Sequence, residues 1–158
     1  KLFEFMVLDA FQAGLSWNTI INKRENFHKA FDYFDIPKIA AYSEEKIQDL
    51  LQDAGIIRNK QKVYATVINA KAFLDIQKEY GSFHQYIWQF TNGKTLVNKR
   101  KEQSELIAHS PESDAMSKAL IKRGFKFVGS TICYAFMQAA GMVNDHLTGC
   151  FRYQEVMQ

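Results

Sequence analysis

Leu8-Asp9-Ala10-Phe11-Gln12-Ala13-Gly14-Leu15-Ser16-Trp17 is an apolar helical run that breaks at a glycine and restarts at a serine. Upstream of it, Phe3, Met6, Val7 and Ala10 fall at spacings of three, one and three, on one face of a helix over residues 1 to 13. Gly14 stands where helices commonly stop. Ser16 is a good N-cap for a second helix, which carries Ile20, Phe27 and Phe31 on its inner face. An acid, Asp9, sits on the first helix, and Trp17 is the first residue of the second. Two readings stay open at this corner: a kink between two core helices, or a pocket that Asp9 and Trp17 both face. On spacing alone the kink is the simpler one.

The same alternation of cap, apolar stripe and glycine runs down the chain. Pro37 suits the first turn of a short helix to Tyr42, and Ser43 caps another that carries Ile47, Leu50 and Leu51. After a tight turn over residues 53 to 60, Val63, Val67, Ala70 and Leu74 step by four, three and four along a clear helix. It ends near Gly81, and Ser82 caps a helix with Phe83, Ile87 and Phe90 facing inward. Residues 92 to 111 form the longest irregular stretch, the kind of connection that is often functional. Ser113 and Asp114 open a helix with Met116, Ala119 and Leu120, closed by Gly124. A last helix, residues 130 to 140, has Ile132, Phe136 and Ala139 on one face. No window alternates with period two. The expected fold is all-α, a compact array of eight or nine short helices in one domain.

Composition narrows the class. A hydrophobic share of 47% with two prolines in 158 residues describes a packed globular chain. No apolar run approaches the ~20 residues that span a bilayer. Two cysteines, Cys133 and Cys150, make a poor disulfide framework at this size, so reduced thiols in a cytoplasm are expected. The net charge of +3 permits nucleic acid as a partner without requiring it. Basic residues gather at Lys23-Arg24, at Arg58 to Lys62, at Lys99-Arg100-Lys101 and at Lys122-Arg123 with Lys126. Each group alone reads as a solvated face.

Three places carry candidate chemistry. Around Gly55, Leu50, Leu51, Ile56 and Lys60 fit a helix-hairpin-helix, which aims free backbone amides at a DNA phosphate. Ile57 stands where such hairpins usually have a second glycine, and an ordinary helix-turn-helix pair fits equally well. His146 and Cys150, four apart, have the spacing of half a tetrahedral zinc site. Cys133 joins them only if the fold brings it near, and His28, His84 and His109 have no partner spacing. Asp9 is a candidate acid/base, a cation binder with Trp17 as the aromatic wall, or simply a solvated residue.

Five blocks together resemble the DNA-3-methyladenine glycosylase I family. They are Gln12-Ala13-Gly14-Leu15-Ser16-Trp17, Lys23-Arg24-Glu25-Asn26, Asp53-Ala54-Gly55-Ile56-Ile57-Arg58-Asn59, Lys122-Arg123-Gly124-Phe125-Lys126-Phe127-Val128-Gly129 and Val143-Asn144-Asp145-His146. The resemblance runs in unbroken order from Lys1 to about Cys150. It implies the helix-hairpin-helix DNA glycosylase fold, with the hairpin over about residues 44 to 74. It also implies removal of N3-methyladenine from alkylated double-stranded DNA by a cytoplasmic monomer, without strand cleavage.

The resemblance assigns residues as well. Asp9 and Trp17 would bind the base, with Asp9 the catalytic acid. Leu15 would wedge into the duplex, and Gly55, Ile57, Arg58 and Lys60 would lie at a phosphate. His146 and Cys150 would be two of four ligands to a structural zinc. The other two, a Cys and a His, are implied in a segment before Lys1, and so is one aromatic wall of the pocket. The family has glutamate-glycine where this chain has Asp9-Ala10, which shortens the acid by one methylene, on the order of 1.5 Å. The aspartate that related glycosylases carry after the hairpin has no counterpart, since Asp75 lies on a helical run that reads as exposed. The competing expectation is a helix-hairpin-helix module that holds DNA and does no chemistry.

Overall fold

Gly14 leaves the first helix in the left-handed region, at φ +81°, where a side chain is strained whatever space surrounds it. That one residue separates α1 (Leu2–Gln12) from α2 (Trp17–Ala30). Ser16 caps α2 as its position suggests, accepting the backbone N–H of Thr19. The computed structural model describes residues 1 to 157. Beyond α2 come α3 (Ile36–Ala40), α4 (Glu44–Gln52), α5 (Lys60–Tyr80), α6 (Phe83–Trp88), α7 (Pro111–Lys122), α8 (Ser130–Ala139) and α9 (Phe151–Glu155). Ser43 and Ser82 cap α4 and α6, again where the sequence places them.

The 21-residue α5 runs through the middle of the array and packs on α1, α3, α4 and α6. The first helix, α1, is covered by α2, α5 and α8. One continuous core joins Phe3 and Phe11 of α1 to Phe27, Phe73, Phe83 and Phe136. Phe11 and Phe27 meet edge to face at 4.8 Å, which fixes the crossing of the two helices that flank Gly14. No helix among the described residues is long and apolar enough to cross a membrane.

The structure corrects the sequence reading in four places. The seventh helix begins at Pro111, because Ser110 is the cap and Ser113 completes a reciprocal capping box with it. On α8 the buried face is Cys133, Tyr134, Phe136 and Met137, so the stripe is rotated from the expected one; Ala139 is exposed because it borders a cavity. Residues 32 to 34 form a left-handed turn, with φ values of 50°, 56° and 58°. Such residues cost roughly 1–2 kcal/mol each, offset here by the Tyr42 hydroxyl donating to Asp32 at 2.5 Å and by Phe34 stacking on Phe31. Finally, the irregular stretch contributes a two-residue parallel bridge, Leu96 and Val97 opposite Val143 and Asn144. Two residues are too few for periodicity to register.

Candidate functional site

The corner after α1 is braced from beneath. Leu15 donates its N–H to the Gln12 carbonyl at 2.7 Å, and Gln12 Nε2 donates to the Leu15 carbonyl at 2.7 Å. The last carbonyls of a helix lack intrahelical partners; here Lys62 Nζ reaches across from α5 to Phe11 O at 3.0 Å and Ala13 O at 2.7 Å. Lys62 is buried, and burial lowers its pKa. In the sequence it belongs to a basic run and reads as solvated. A signal was present all the same: Lys62, Thr66, Asn69, Phe73 and Ile76 step by four, three, four and three, a core stripe with a lysine at its head.

Above this brace lies a cavity of about 230 Å³, walled by Phe5, Leu8 and Ile20 and edged by Asp9, Trp17 and Arg24. It is smaller than the ~300–1,000 Å³ typical of drug-sized ligand sites, a size for one heterocycle. Asp9 is 4% exposed, and its Oδ2 is buried with no hydrogen-bond partner among the described residues. Burial pushes the Asp9 carboxyl up to about 7. Trp17 opens α2 with 44% of its surface exposed, unusual for so large an apolar group. Cys133 lies close enough for Asp9 to act on its thiol, which burial and that charge push up to about 12, so it is inert as a nucleophile or ligand. Buried polar atoms are almost always satisfied. An unsatisfied carboxyl beside an exposed indole is a place for a donor or a cation.

The turn before α5 is held to α2 by side chains. Asp53 Oδ1 accepts the Gly55 N–H at 2.7 Å, and buried Ile56 anchors the turn in the core. From α2, Lys23 Nζ donates to Ala54 O at 3.1 Å and Gly55 O at 3.4 Å, and Asn26 Nδ2 donates to Gly55 O at 3.2 Å. Gly55 makes the close approach possible: a Cβ there would stand 2.9 Å from Asp53 Oδ1 and 3.3 Å from the Asn26 side chain, and those side chains would have to shift. Asn59 caps α5 by accepting the Lys62 N–H. Ile57 is half-buried, while Arg58 and Lys60 are exposed. Other basic residues are engaged elsewhere, Lys23 on the turn's carbonyls and Arg123 on Glu79 with its guanidinium over Tyr80 and Tyr86. The cationic surface is thinner than the sequence suggests.

Asp145 is a functional-looking residue that sequence reasoning passed over. It accepts from Asn98 Nδ2 at 2.9 Å, Arg100 Nε at 2.5 Å and the Tyr134 hydroxyl at 2.9 Å. Burial pushes its carboxyl up, and those three donors outweigh burial and hold it below the usual range. It borders a larger cavity of about 650 Å³ beyond Ala139, and it enters that cavity already satisfied. That cavity therefore offers a ligand no unmet carboxylate, and the smaller one does.

One residue on, His146 Nδ1 stands 4.0 Å from Cys150 Sγ. Zinc with a thiolate at ~2.3 Å and an imidazole at ~2.0–2.1 Å in tetrahedral geometry sets such a pair about 3.5 Å apart, so the two fit adjacent ligand positions after a small shift. No cluster of three or more His, Cys, Asp or Glu able to hold a metal occurs among the described residues. Cys133 does not join the pair, since its thiol donates to Val128 O at 3.3 Å. After dialysis against a chelator and then zinc, this chain is expected to retain well under one zinc per molecule; a stoichiometric value by metal analysis would reveal a different ligand set.

The methyladenine glycosylase family matches residues 1–153. DNA-3-methyladenine glycosylase 1 of Escherichia coli (strain K12) is 50% identical over 153 residues, covering 97% of this chain and 82% of the relative. A crystal structure of 3-methyladenine DNA glycosylase I superposes with a TM-score of 0.92 at 49% identity, over 95% of this chain and 82% of that one. A single-substitution variant of 3-methyladenine DNA glycosylase I in complex with 3-methyladenine superposes with a TM-score of 0.92 at 34% identity, over 95% of this chain and 81% of that one.

Proposed function

Because this chain belongs to the methyladenine glycosylase family, we propose that the cavity between Asp9 and Trp17 holds the base that it excises. The chain is a DNA base-excision repair enzyme that releases N3-methyladenine from alkylated DNA. What carries the assignment of the site is the buried Asp9 Oδ2 with no partner, in an apolar cavity with an exposed indole at its edge.

The chemistry suits those residues. Methylation at N3 leaves the nucleobase positively charged, so it departs as a neutral molecule and needs no proton from the enzyme. The nucleotide turns out of the stack at a cost of a few kcal/mol. Trp17 stacks on the cationic ring, and Asp9 gives up its proton to water on its arrival and accepts an N–H of the exocyclic amino group. When the bond from C1′ to the base nitrogen breaks, its electron pair stays with the base and the positive charge passes to the sugar. The Asp9 carboxylate favours that positive charge electrostatically, and water completes the reaction by adding its oxygen to C1′ and releasing a proton.

The hairpin reading of the turn belongs with this proposal. The N-terminus of the long α5, with Gly55, Ile57, Arg58 and Lys60 around it, faces a duplex phosphate, and Leu15 at the tip of the corner wedges beside the vacated base. The Gly55→Ala variant is expected to lose about tenfold in affinity for abasic-site duplex, because the methyl group displaces the Asp53 and Asn26 side chains that hold the turn, about the worth of one or two hydrogen bonds. An unaltered affinity would take the turn out of the interface. His146 and Cys150 remain candidates for two ligands of a structural zinc, and no chemical step passes through a metal.

A working cavity favours catalysis over a module that only holds DNA. The test is base release from methylated duplex, followed by chromatography of the liberated base, for the wild-type chain beside Trp17→Ala. Wild-type release with a loss of tenfold or more in the variant is expected. Equal release by both would move the base elsewhere.

A further inference from the structure

Arg24 sits at the edge of the cavity with half of its side chain in solvent, and it is not free to move. Its Nε and Nη2 both reach Glu4 Oε1, at 2.8 Å and 2.6 Å. Glu4 is 5% exposed and rooted in α1, and the same oxygen takes a third hydrogen bond from His28 Nε2 at 2.8 Å. A carboxylate only accepts, so that imidazole nitrogen carries the hydrogen. One carboxylate oxygen thus fixes the inner edge of the guanidinium, and no protein group among the described residues takes Nη1.

Two further facts define what the open edge is for. Arg24 does not serve Asp9, because the Asp9 carboxyl is raised by burial with no cation drawing it down. Nor does it repel an incoming cationic base at full strength, since Glu4 lies against it and cancels much of its field. Its neighbours on α2 place it as well. Lys23 and Asn26, on either side, grip the carbonyls of the turn before α5, while Arg24 edges the cavity. The exposed edge of α2 therefore spans the ground between turn and cavity.

We propose that Arg24, oriented by Glu4, binds a backbone phosphate flanking the flipped nucleotide. A base inside the cavity must leave its sugar and phosphates at the mouth, where the open edge of the guanidinium stands. A planar fork with two free N–H groups matches two phosphate oxygens, and fixing it in advance leaves less freedom to lose on binding. Glu4 touches no substrate; it is a positioning residue, and His28 helps to hold it. The proposal rests on the cavity being the base site.

Arg24→Gln keeps an N–H for Glu4 and removes the charge, and circular dichroism with a melting curve checks that the variant is folded. Binding to abasic-site duplex is measured across a salt series, and binding of free 3-methyladenine, which has no phosphate, is measured alongside. The slope of log affinity against log salt should fall by about one, the value of a single phosphate contact. Duplex affinity should drop about tenfold near physiological salt, while free-base affinity changes less than twofold. Glu4→Gln should lower duplex affinity by a smaller factor with the salt slope retained, because the arginine keeps its charge and loses its aim. An unchanged slope in Arg24→Gln, with lower thermal stability alone, would make the Glu4–Arg24 pair a tie between α1 and α2 and overturn the proposal. So would an equal loss of duplex and free-base affinity. If wild-type protein fails to bind free base or to release it, the base-site assignment falls; the salt slope on duplex still decides Arg24.

Discussion

The Asp9→Asn variant is expected to lose base release on the order of 100-fold and, at the same time, to become more stable above neutral pH. Both follow from one buried carboxyl. In the fold its pKa lies at about 7, against 3.8 for an unperturbed aspartate, because burial opposes the charge and no donor offsets it. The folded state therefore holds a proton that the unfolded state has given up between about pH 4 and pH 7. Stability falls as pH rises across that window, and the penalty is complete above it. A gap of about three pH units at 1.36 kcal/mol per unit sets an upper bound of about 4 kcal/mol. Asparagine is neutral throughout, so denaturant midpoints should match the wild type near pH 4 and exceed it at pH 8. A variant no more stable at pH 8 would mean that Asp9 is solvated or paired.

The same titration shapes catalysis. Asp9 must be ionised to hold a cationic base, so kcat/KM for base release should rise with pH through about 7 and then level off. Asp9→Glu keeps the ionisable group and should keep that rise. A flat profile in the wild type would remove Asp9 from the reaction. The cavity thus concentrates a fold-destabilising charge where the substrate's own charge relieves it.

Asp145→Ala is the change expected to damage the fold most, by about 2–3 kcal/mol at pH 7, below the ~3–5 kcal/mol of a fully buried pair. Removing one partner of a part-buried ion pair leaves the others partly desolvated and unpaired. Here those others are Arg100, Asn98 and Tyr134, which tie the irregular stretch to α8 and to the chain after the β bridge. Because its donors hold the Asp145 carboxyl below the usual range, its contribution is present in full above about pH 4 and is lost as pH falls through the depressed value. The stability gap between wild type and Asp145→Asn should therefore narrow on acidification toward pH 3. A gap of constant size would show that packing, and not charge, is what the residue supplies. Proteolysis within residues 99 to 109 should quicken in either variant, since the strap that holds them is cut.

Local chemistry is legible in a chain of this kind wherever the partners are close in sequence. Gly14, Ser16, Ser43 and Ser82 stop and start helices through backbone φ and through hydrogen bonds three residues long, so their roles could be read directly. The left-handed turn at residues 32 to 34 escaped, because none of its residues is a glycine and its support comes from Tyr42 and the aromatic core. The face of α8 was misread for a related reason: Ala139 is apolar, and only the cavity beside it leaves it exposed.

The sequence by itself determined most of the helices, the caps at Ser16, Ser43 and Ser82, the all-α class and, through its blocks in order, the family. It also marked Asp9 and Trp17 as a pair worth weighing, since both flank one glycine. Only the tertiary structure decided that Asp9 is buried and unpartnered, that Lys62 is a brace under α1 and not a surface charge, and that Glu4 holds Arg24 at the mouth of the cavity. A residue's helical state depends mainly on neighbours within a turn or two. Its partner and charge depend on atoms that the chain brings back from 20 to 51 residues away; a local stripe such as that of Lys62 can hint at burial, and it names no partner.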